Sequence, residues 1–239
     1  MILFLSSIAP AVLIMLLIYQ HDIKKEPLKM LLKAFFGGLL SIIIALAIVQ
    51  PIDELTRFFS SGLLRSFYDA FCCAAMPEEF AKWIVFYWLI KKAKNFDQYY
   101  DGILYAIFIS MGFALVENIL YVMNNGMTVA IMRAILAVPG HMLFAVPMGY
   151  YFSLAKFKEG KDAAKYVKLS LAVPILLHGT YDFILMYADS KKEFNPILTA
   201  VLVLSFVVFD IYMWRLGIRK IKEHIAMDLK KKTETSESV

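Results

Sequence analysis

The chain has 239 residues, 60% of them apolar, and its 25 Lys and Arg outnumber 20 Asp and Glu for a net charge of +5. A soluble domain carries roughly 45–50% apolar residues, and a chain this short has too little interior to hide repeated long apolar runs in one water-soluble core. The basic excess lies in the linkers between those runs, so it speaks for membrane orientation and against a nucleic-acid partner.

A hydrocarbon core about 30 Å thick takes about 20 helical residues. Seven segments qualify in chain order: 3–20, 31–49, 70–90, 102–123, 129–155, 168–188 and 197–216. Backbone polar groups find no water in lipid, so these segments are helices. The expected fold is all-α, a polytopic membrane helix bundle of about seven transmembrane helices. Residues 1–222 form one domain, and no internal repeat stands out. The first run lacks the basic flank of a secretory signal and is kept as a span. Segment 52–68 mixes charge with aromatics and reads as an outer connection, an interfacial amphipathic helix. The tail 223–239 is polar, ends in KKKTETSESV, and is expected to be disordered. Cys72 and Cys73 are neighbours in an apolar run and read as small apolar fillers.

Of the 25 basic residues, 19 fall in the linkers after the first, third and fifth spans and in the tail. Four fall on the other side: Arg57, Arg65, Lys191 and Lys192. This alternation sets the N-terminus outside and the C-terminus in the cytoplasm. The last two, Lys82 and Arg133, fall inside spans, as do Glu78, Glu79, Glu117, His141, His178, Asp182 and Asp210. Ionisable groups within a bilayer mark a pathway or a site.

In the third span, Pro77-Glu78-Glu79 precedes Lys82. Adjacent carboxylates point about 100° apart on a helix, and Lys82 reaches either one. One Glu can be neutralised by Lys82 while the other faces the site, and Pro77 accompanies a local break in the helix. The fourth span carries Glu117-Asn118, the fifth Pro139-Gly140-His141, and the sixth His178 four residues before Asp182, on one helical face. Asp182 is placed to orient the imidazole. Counted from the outer ends of their spans, Glu117 lies roughly 9 Å deep, Glu78 roughly 12 Å, His178 roughly 15 Å and His141 roughly 18 Å. All four fit one level in the outer half of the bilayer.

Two His and two or three carboxylates suit a divalent metal of the zinc class, with a nearby Glu as general base. A metal-assisted hydrolase is one reading. A cation transporter is a second, and a non-catalytic scaffold or substrate-presenting subunit a third. Among hydrolases, the sequence has no His-Glu-x-x-His, no Gly-x-Gly-Asp and no Gly-x-Ser-x-Gly, so a site-2-type zinc protease, a presenilin-type protease and a nucleophile elbow are set aside.

At these residues the chain resembles the PrsW family of bacterial intramembrane proteases. The resemblance runs through Ile8-Ala9-Pro10, Glu26-Pro27, Glu78-Glu79 with Lys82, Tyr100-Asp101-Gly102-Ile103 and Gly112-Phe113-Ala114. It continues through Glu117-Asn118-Ile119-Leu120-Tyr121, Arg133-Ala134, His141 and His178-Gly179-Thr180-Tyr181-Asp182. It is similar at one remove to the type II CAAX prenyl proteases, but Lys82 stands one position earlier than their Arg and Glu117 stands where their second motif has His. The resemblance implies a multi-pass bacterial cell-membrane enzyme that makes the first, extracytoplasmic-side cut in a single-pass anti-sigma factor, leading to release of the sigma factor. On this reading Glu78 is the general base, Glu79 a ligand or helper, and Glu117, His141 and His178 hold a divalent metal or polarise the scissile carbonyl. Asn118 and Asp182 support them, and Lys82 balances charge.

Overall fold

The computed structural model describes residues 2–60, 62–90, 93–158 and 160–237. The described residues contain helices and no strands. They are α1 (Ile2–Gln20), α2 (Leu28–Asp53) with a 3-10 turn (Glu54–Phe58), α3 (Leu63–Tyr68), α4 (Met76–Ile90), α5 (Tyr99–Asn125), α6 (Met127–Met132), α7 (Val138–Phe157), α8 (Gly160–Lys191) and α9 (Pro196–Glu237). A π-helical segment, Asp69–Ala75, joins α3 to α4, and another, Arg133–Ala137, joins α6 to α7. The described residues therefore make seven long rods, as expected. Six stretches among the described residues are long and apolar enough to cross a membrane: α1, Leu28–Phe58, α5, Met127–Phe157, α8 and α9. The seventh rod, α3 to α4, carries Asp69, Glu78, Glu79 and Lys82 and is the least lipid-like.

Helix α5 is the axis of the bundle. Every residue from Tyr100 to Ala114 is buried, and α1, α2 and α7 pack around it. Without a hydrophobic drive between helices in lipid, close contact of backbones holds them together, and small residues permit it. At Gly38 of α2 an added Cβ would stand 1.9 Å from the Ile109 carbonyl oxygen, and at Gly112 of α5 one would stand 2.2 Å from that of Phe35. The same fit recurs on the other side, where a Cβ on Gly149 of α7 would lie 2.2 Å from the Gly102 oxygen.

The two π segments have one cause. Each ends two residues before a proline, Pro77 or Pro139. Proline brings no N–H to the ladder and its ring crowds the carbonyl one turn back. The helix accommodates this by widening by one residue, and such bulges recur at functional sites. The break expected at Pro77 is thus a π segment, with Glu78 and Glu79 following directly. Pro139 does the same for His141, and Pro174 lies inside α8 one turn before His178.

The connection at 52–68 is shorter in helix than the sequence suggests. It folds as the 3-10 turn and α3, pinned by Arg65 Nε donating to Asp69 (2.7 Å) and Tyr68 Oη donating to the Ile52 carbonyl (2.9 Å). The tail also differs. Residues 223–237 continue α9 as helix where disorder is expected. Asp228 accepts from the backbone N–H groups of Tyr99 (2.7 Å) and Tyr100 (2.9 Å), satisfying the orphan donors of the first turn of α5. One helical turn earlier, His224 is buried and stacks on Tyr150 at 4.3 Å. These partners are more than seventy residues away, so the tail's polar composition alone does not reveal them.

Candidate active site

Four rods bring their charged residues to one place. Glu78, Glu79 and Lys82 come from α4, Glu117 and Asn118 from α5, Arg133 and His141 from the α6–α7 rod, and His178 and Asp182 from α8. Every residue singled out in these motifs belongs to one connected network. His178 Nε2 faces Asp182 Oδ2 at 3.2 Å, and its Nδ1 faces Glu79 Oε1 at 2.9 Å. The same Glu79 oxygen accepts from Lys82 Nζ at 2.7 Å. Lys82 Nζ also lies 3.2 Å from His141 Nδ1, and His141 Nε2 lies 2.7 Å from Glu117 Oε2. Glu117 Oε2 pairs with Arg133 at 2.8 Å, Arg133 Nε donates to Asn118 Oδ1 at 2.8 Å, and Asn118 Nδ2 donates to the Ser7 carbonyl at 2.7 Å.

Donor and acceptor roles follow from chemistry. An ammonium only donates, so His141 Nδ1 accepts from Lys82 and the ring proton sits on Nε2, donated to Glu117. His178 Nδ1 donates to Glu79, and its Nε2 faces Asp182 at 3.2 Å. Aromatic faces fix the ring and the ammonium: Phe144 stacks on His178 at 4.5 Å, and Lys82 Nζ lies 4.2 Å from the Phe113 centroid. Ser110 Oγ donates to the His141 carbonyl at 2.9 Å, tying α5 to the turn after the π segment.

The adjacent glutamates separate cleanly. Glu79 is 0% exposed and is held by Lys82 and His178, whereas the Glu78 side chain is 18% exposed and its nearest cation, Lys82, is 3.4 Å away. Glu78 borders a cavity of about 170 Å³, with Glu117, Arg133, His141, His178 and Asp182 around it. Glu79 and Glu117 each hold a cation within 2.8 Å, whereas Glu78 has Lys82 only at 3.4 Å and stands at the cavity wall.

Whether the residues suit a divalent metal depends on their free donors. Ligand atoms of Glu78, Glu79 and His141 lie within 4.8 Å of one another, and Glu79 Oε2 is buried without a partner among the described residues. Two carboxylates and an imidazole are a suitable donor set for a divalent cation, so the residues fit. The grouping differs from the expected trio of Glu117, His141 and His178. Both nitrogens of His178 face carboxylates, and Glu117 is shared between Arg133 and His141; His141 alone is common to the two sets, its Nδ1 keeping a lone pair that here accepts from Lys82.

Two lining residues carry no role in the sequence reading. Arg133 was visible as an intramembrane cation, but its fork on Glu117 and Asn118 needs the folded bundle. Tyr181 sits within the His178–Asp182 motif, its hydroxyl buried without a partner among the described residues.

Charged groups held this deep among apolar helices, with one carboxylate turned to a small cavity, are what a membrane-embedded hydrolase needs, and the comparisons place the protein in that class. Residues 26–213 match the family described as PrsW family intramembrane metalloprotease. Protease PrsW of Oceanobacillus iheyensis is 38% identical over 203 residues, 85% of this chain and 90% of that protein. Protease PrsW of Bacillus subtilis strain 168 is 35% identical over 219 residues (91% and 93%), and that of Clostridioides difficile strain 630 is 34% identical over 232 (93% and 91%). No solved structure matches. The chain belongs to the PrsW family and is an intramembrane peptidase.

Proposed function

We propose that this peptidase makes the extracytoplasmic-side cut in a single-pass, membrane-anchored anti-sigma factor, leading to activation of the sigma factor. The orientation behind this is the one the basic linkers favour, N-terminus outside and C-terminus cytoplasmic. Span counting then sets the site in the outer half of the bilayer, where such a cut falls. The observation that carries the catalytic assignment is the unequal setting of the two glutamates, Glu78 open to the cavity and Glu79 sealed by Lys82 and His178.

Glu78 acts as the general base. It takes a proton from the attacking water and returns it to the leaving amine. Glu79 is a positioning residue, holding Lys82 and His178 in place. The His178 imidazolium, oriented by Asp182, borders the cavity and stabilises negative charge as it develops on the scissile carbonyl. Glu117 and Arg133 hold His141 in one tautomer, and Asn118 holds Arg133. Glu79 and His141 would hold a divalent metal beside Glu78, and when bound it would supply Lewis acidity toward water and carbonyl; zinc is the metal proposed.

The test adds a single-pass substrate with a labelled outer domain to purified wild type and Glu78→Gln in detergent, with and without a chelator. Cleavage by wild type alone, lost with chelator and restored by zinc, supports the proposal. Equal cleavage by both proteins removes Glu78 as the base, and cleavage indifferent to chelator removes the metal. A label released from the cytoplasmic side would overturn the orientation of the cut.

A further inference from the structure

Tyr181 stands out on two grounds. It lines the cavity beside Glu78 and His178, and its hydroxyl is buried with no hydrogen-bond partner among the described residues. Buried hydroxyls are paired in folded proteins, and an orphan calls for an explanation such as a ligand that supplies the missing acceptor. The ring is held on three sides. Phe144 meets it edge-to-face at 5.6 Å, Phe206 of α9 does so at 4.7 Å, and a Cβ on Gly140 would touch the Cζ that bears the hydroxyl at 3.6 Å. Such an aromatic cage would pack phenylalanine as readily. The oxygen is superfluous to packing, and the carboxylates of the network do not use it. On α8, Tyr181 is three residues after His178, so both project from one face toward the same space.

We infer that Tyr181 is a further catalytic residue: its phenol donates a hydrogen bond to the oxygen of the scissile carbonyl as that oxygen becomes an oxyanion. The inference rests on the peptidase reading of the site. As the water oxygen bonds to the carbonyl carbon, the C=O π pair moves onto oxygen and the water proton goes to Glu78. When the tetrahedral species collapses, the C=O bond reforms, the C–N bond breaks, and Glu78 returns the proton to nitrogen. Tyr181 keeps its proton throughout and shares it most strongly at the oxyanion. A donor fixed by packed aromatic rings needs no reorganisation at that moment, which is the condition under which one donor matters most. It is worth more against the transition state than against bound substrate, so it acts on turnover and not on affinity.

The experiment compares wild type, Tyr181→Phe and Glu78→Gln on a quenched fluorescent single-pass transmembrane peptide. It also measures binding of a peptide phosphinate and of a non-cleavable peptide of the same sequence. Tyr181→Phe is expected to lower kcat by about 10²–10³-fold, with KM within about twofold and no fall in the unfolding midpoint. The phosphinate should weaken by the same factor as kcat/KM, and the non-cleavable peptide should bind unchanged. Full-rate cleavage by Tyr181→Phe, or equal weakening of phosphinate and non-cleavable peptide, overturns the inference while leaving the peptidase intact. Equal cleavage by wild type and Glu78→Gln removes Glu78 as the base, and the oxyanion step drawn here with it.

Discussion

Glu79 and His178 lie 99 residues apart in the chain and meet at 2.9 Å, Oε1 to Nδ1, in a site with no access for water to Glu79. The contact ties α4 to α8 and is the ground for giving Glu79 the positioning role proposed above. Truncation to Glu79→Ala strands the Lys82 ammonium and the His178 ring in a buried place. Breaking a buried ion pair this way costs about 3–5 kcal/mol. Thermal unfolding in detergent should show a clear fall for Glu79→Ala and little change for Glu78→Gln, although both lose cleavage. Equal midpoints would contradict the division of labour.

The same contact predicts non-additivity. Lys82→Met alone leaves Glu79 short of its cation, but pairing it with Glu79→Gln removes both charges. The double variant should be less destabilised than the sum of the single variants, with a coupling of about 0.5–3 kcal/mol. A cycle that closes to zero would mean that Lys82 and Glu79 do not stabilise each other.

Arg133 grips Glu117 from one nitrogen and Asn118 from another. A guanidinium has the fixed fork to do this and an ammonium does not. Arg133→Lys keeps the charge, so it should retain the fold, yet cleavage should fall because Glu117 and His141 lose their anchor to Asn118 and α1. Wild-type turnover by Arg133→Lys would show that charge alone suffices.

How much of this was readable without coordinates varies by residue. The spans followed from apolar runs, and Glu78, Glu79, Lys82, Glu117, His141, His178 and Asp182 announced themselves as charges in the wrong solvent. Short-range relations were legible too, since Lys82 with Glu79 and His178 with Asp182 are set by helical spacing. Long-range pairs were not. Nothing local says that Arg133 goes to Glu117, that both nitrogens of His178 face carboxylates, or that Asp228 caps α5, because each depends on which helix faces which. The tail erred for that reason, its polar residues being read as solvated when Asp228 and His224 had partners in α5 and α7. Tyr181 was hidden because an aromatic in an apolar helix resembles packing until its hydroxyl is seen to be alone.

The glycines of the α2–α5 contact give a sharp comparison. Gly112→Ala sets a methyl 2.2 Å from the Phe35 carbonyl oxygen, a backbone atom that cannot turn aside, whereas Gly140→Ala meets only side-chain atoms at 3.6 Å and beyond. Overpacking of this kind costs about 1–3 kcal/mol or more, while alanine in an open helical position is favoured over glycine by roughly 0.5–1 kcal/mol. Gly112→Ala should lower the unfolding midpoint and Gly140→Ala should not. A neutral Gly112→Ala would argue that α2 and α5 are free to separate.

Away from the site, Glu26 lies buried in the linker before α2 and accepts a hydrogen bond from the Tyr105 hydroxyl. Burial raises its carboxyl from 4.5 to about 7, and the Tyr105 hydrogen bond offsets part of that rise. Burial moves the neighbouring Asp22 in the same direction. A raised carboxyl holds its proton longer in the folded protein than in the unfolded chain, so the folded state binds more protons between the two values. The stabilisation is complete below about pH 4.5, is lost as pH rises through about 7, and is flat above. Unfolding midpoints measured from pH 5 to pH 8 should therefore fall with pH, and Glu26→Gln, which mimics the protonated form, should flatten that slope and raise the midpoint most at pH 8. A slope identical to wild type in Glu26→Gln would assign the pH dependence to other groups.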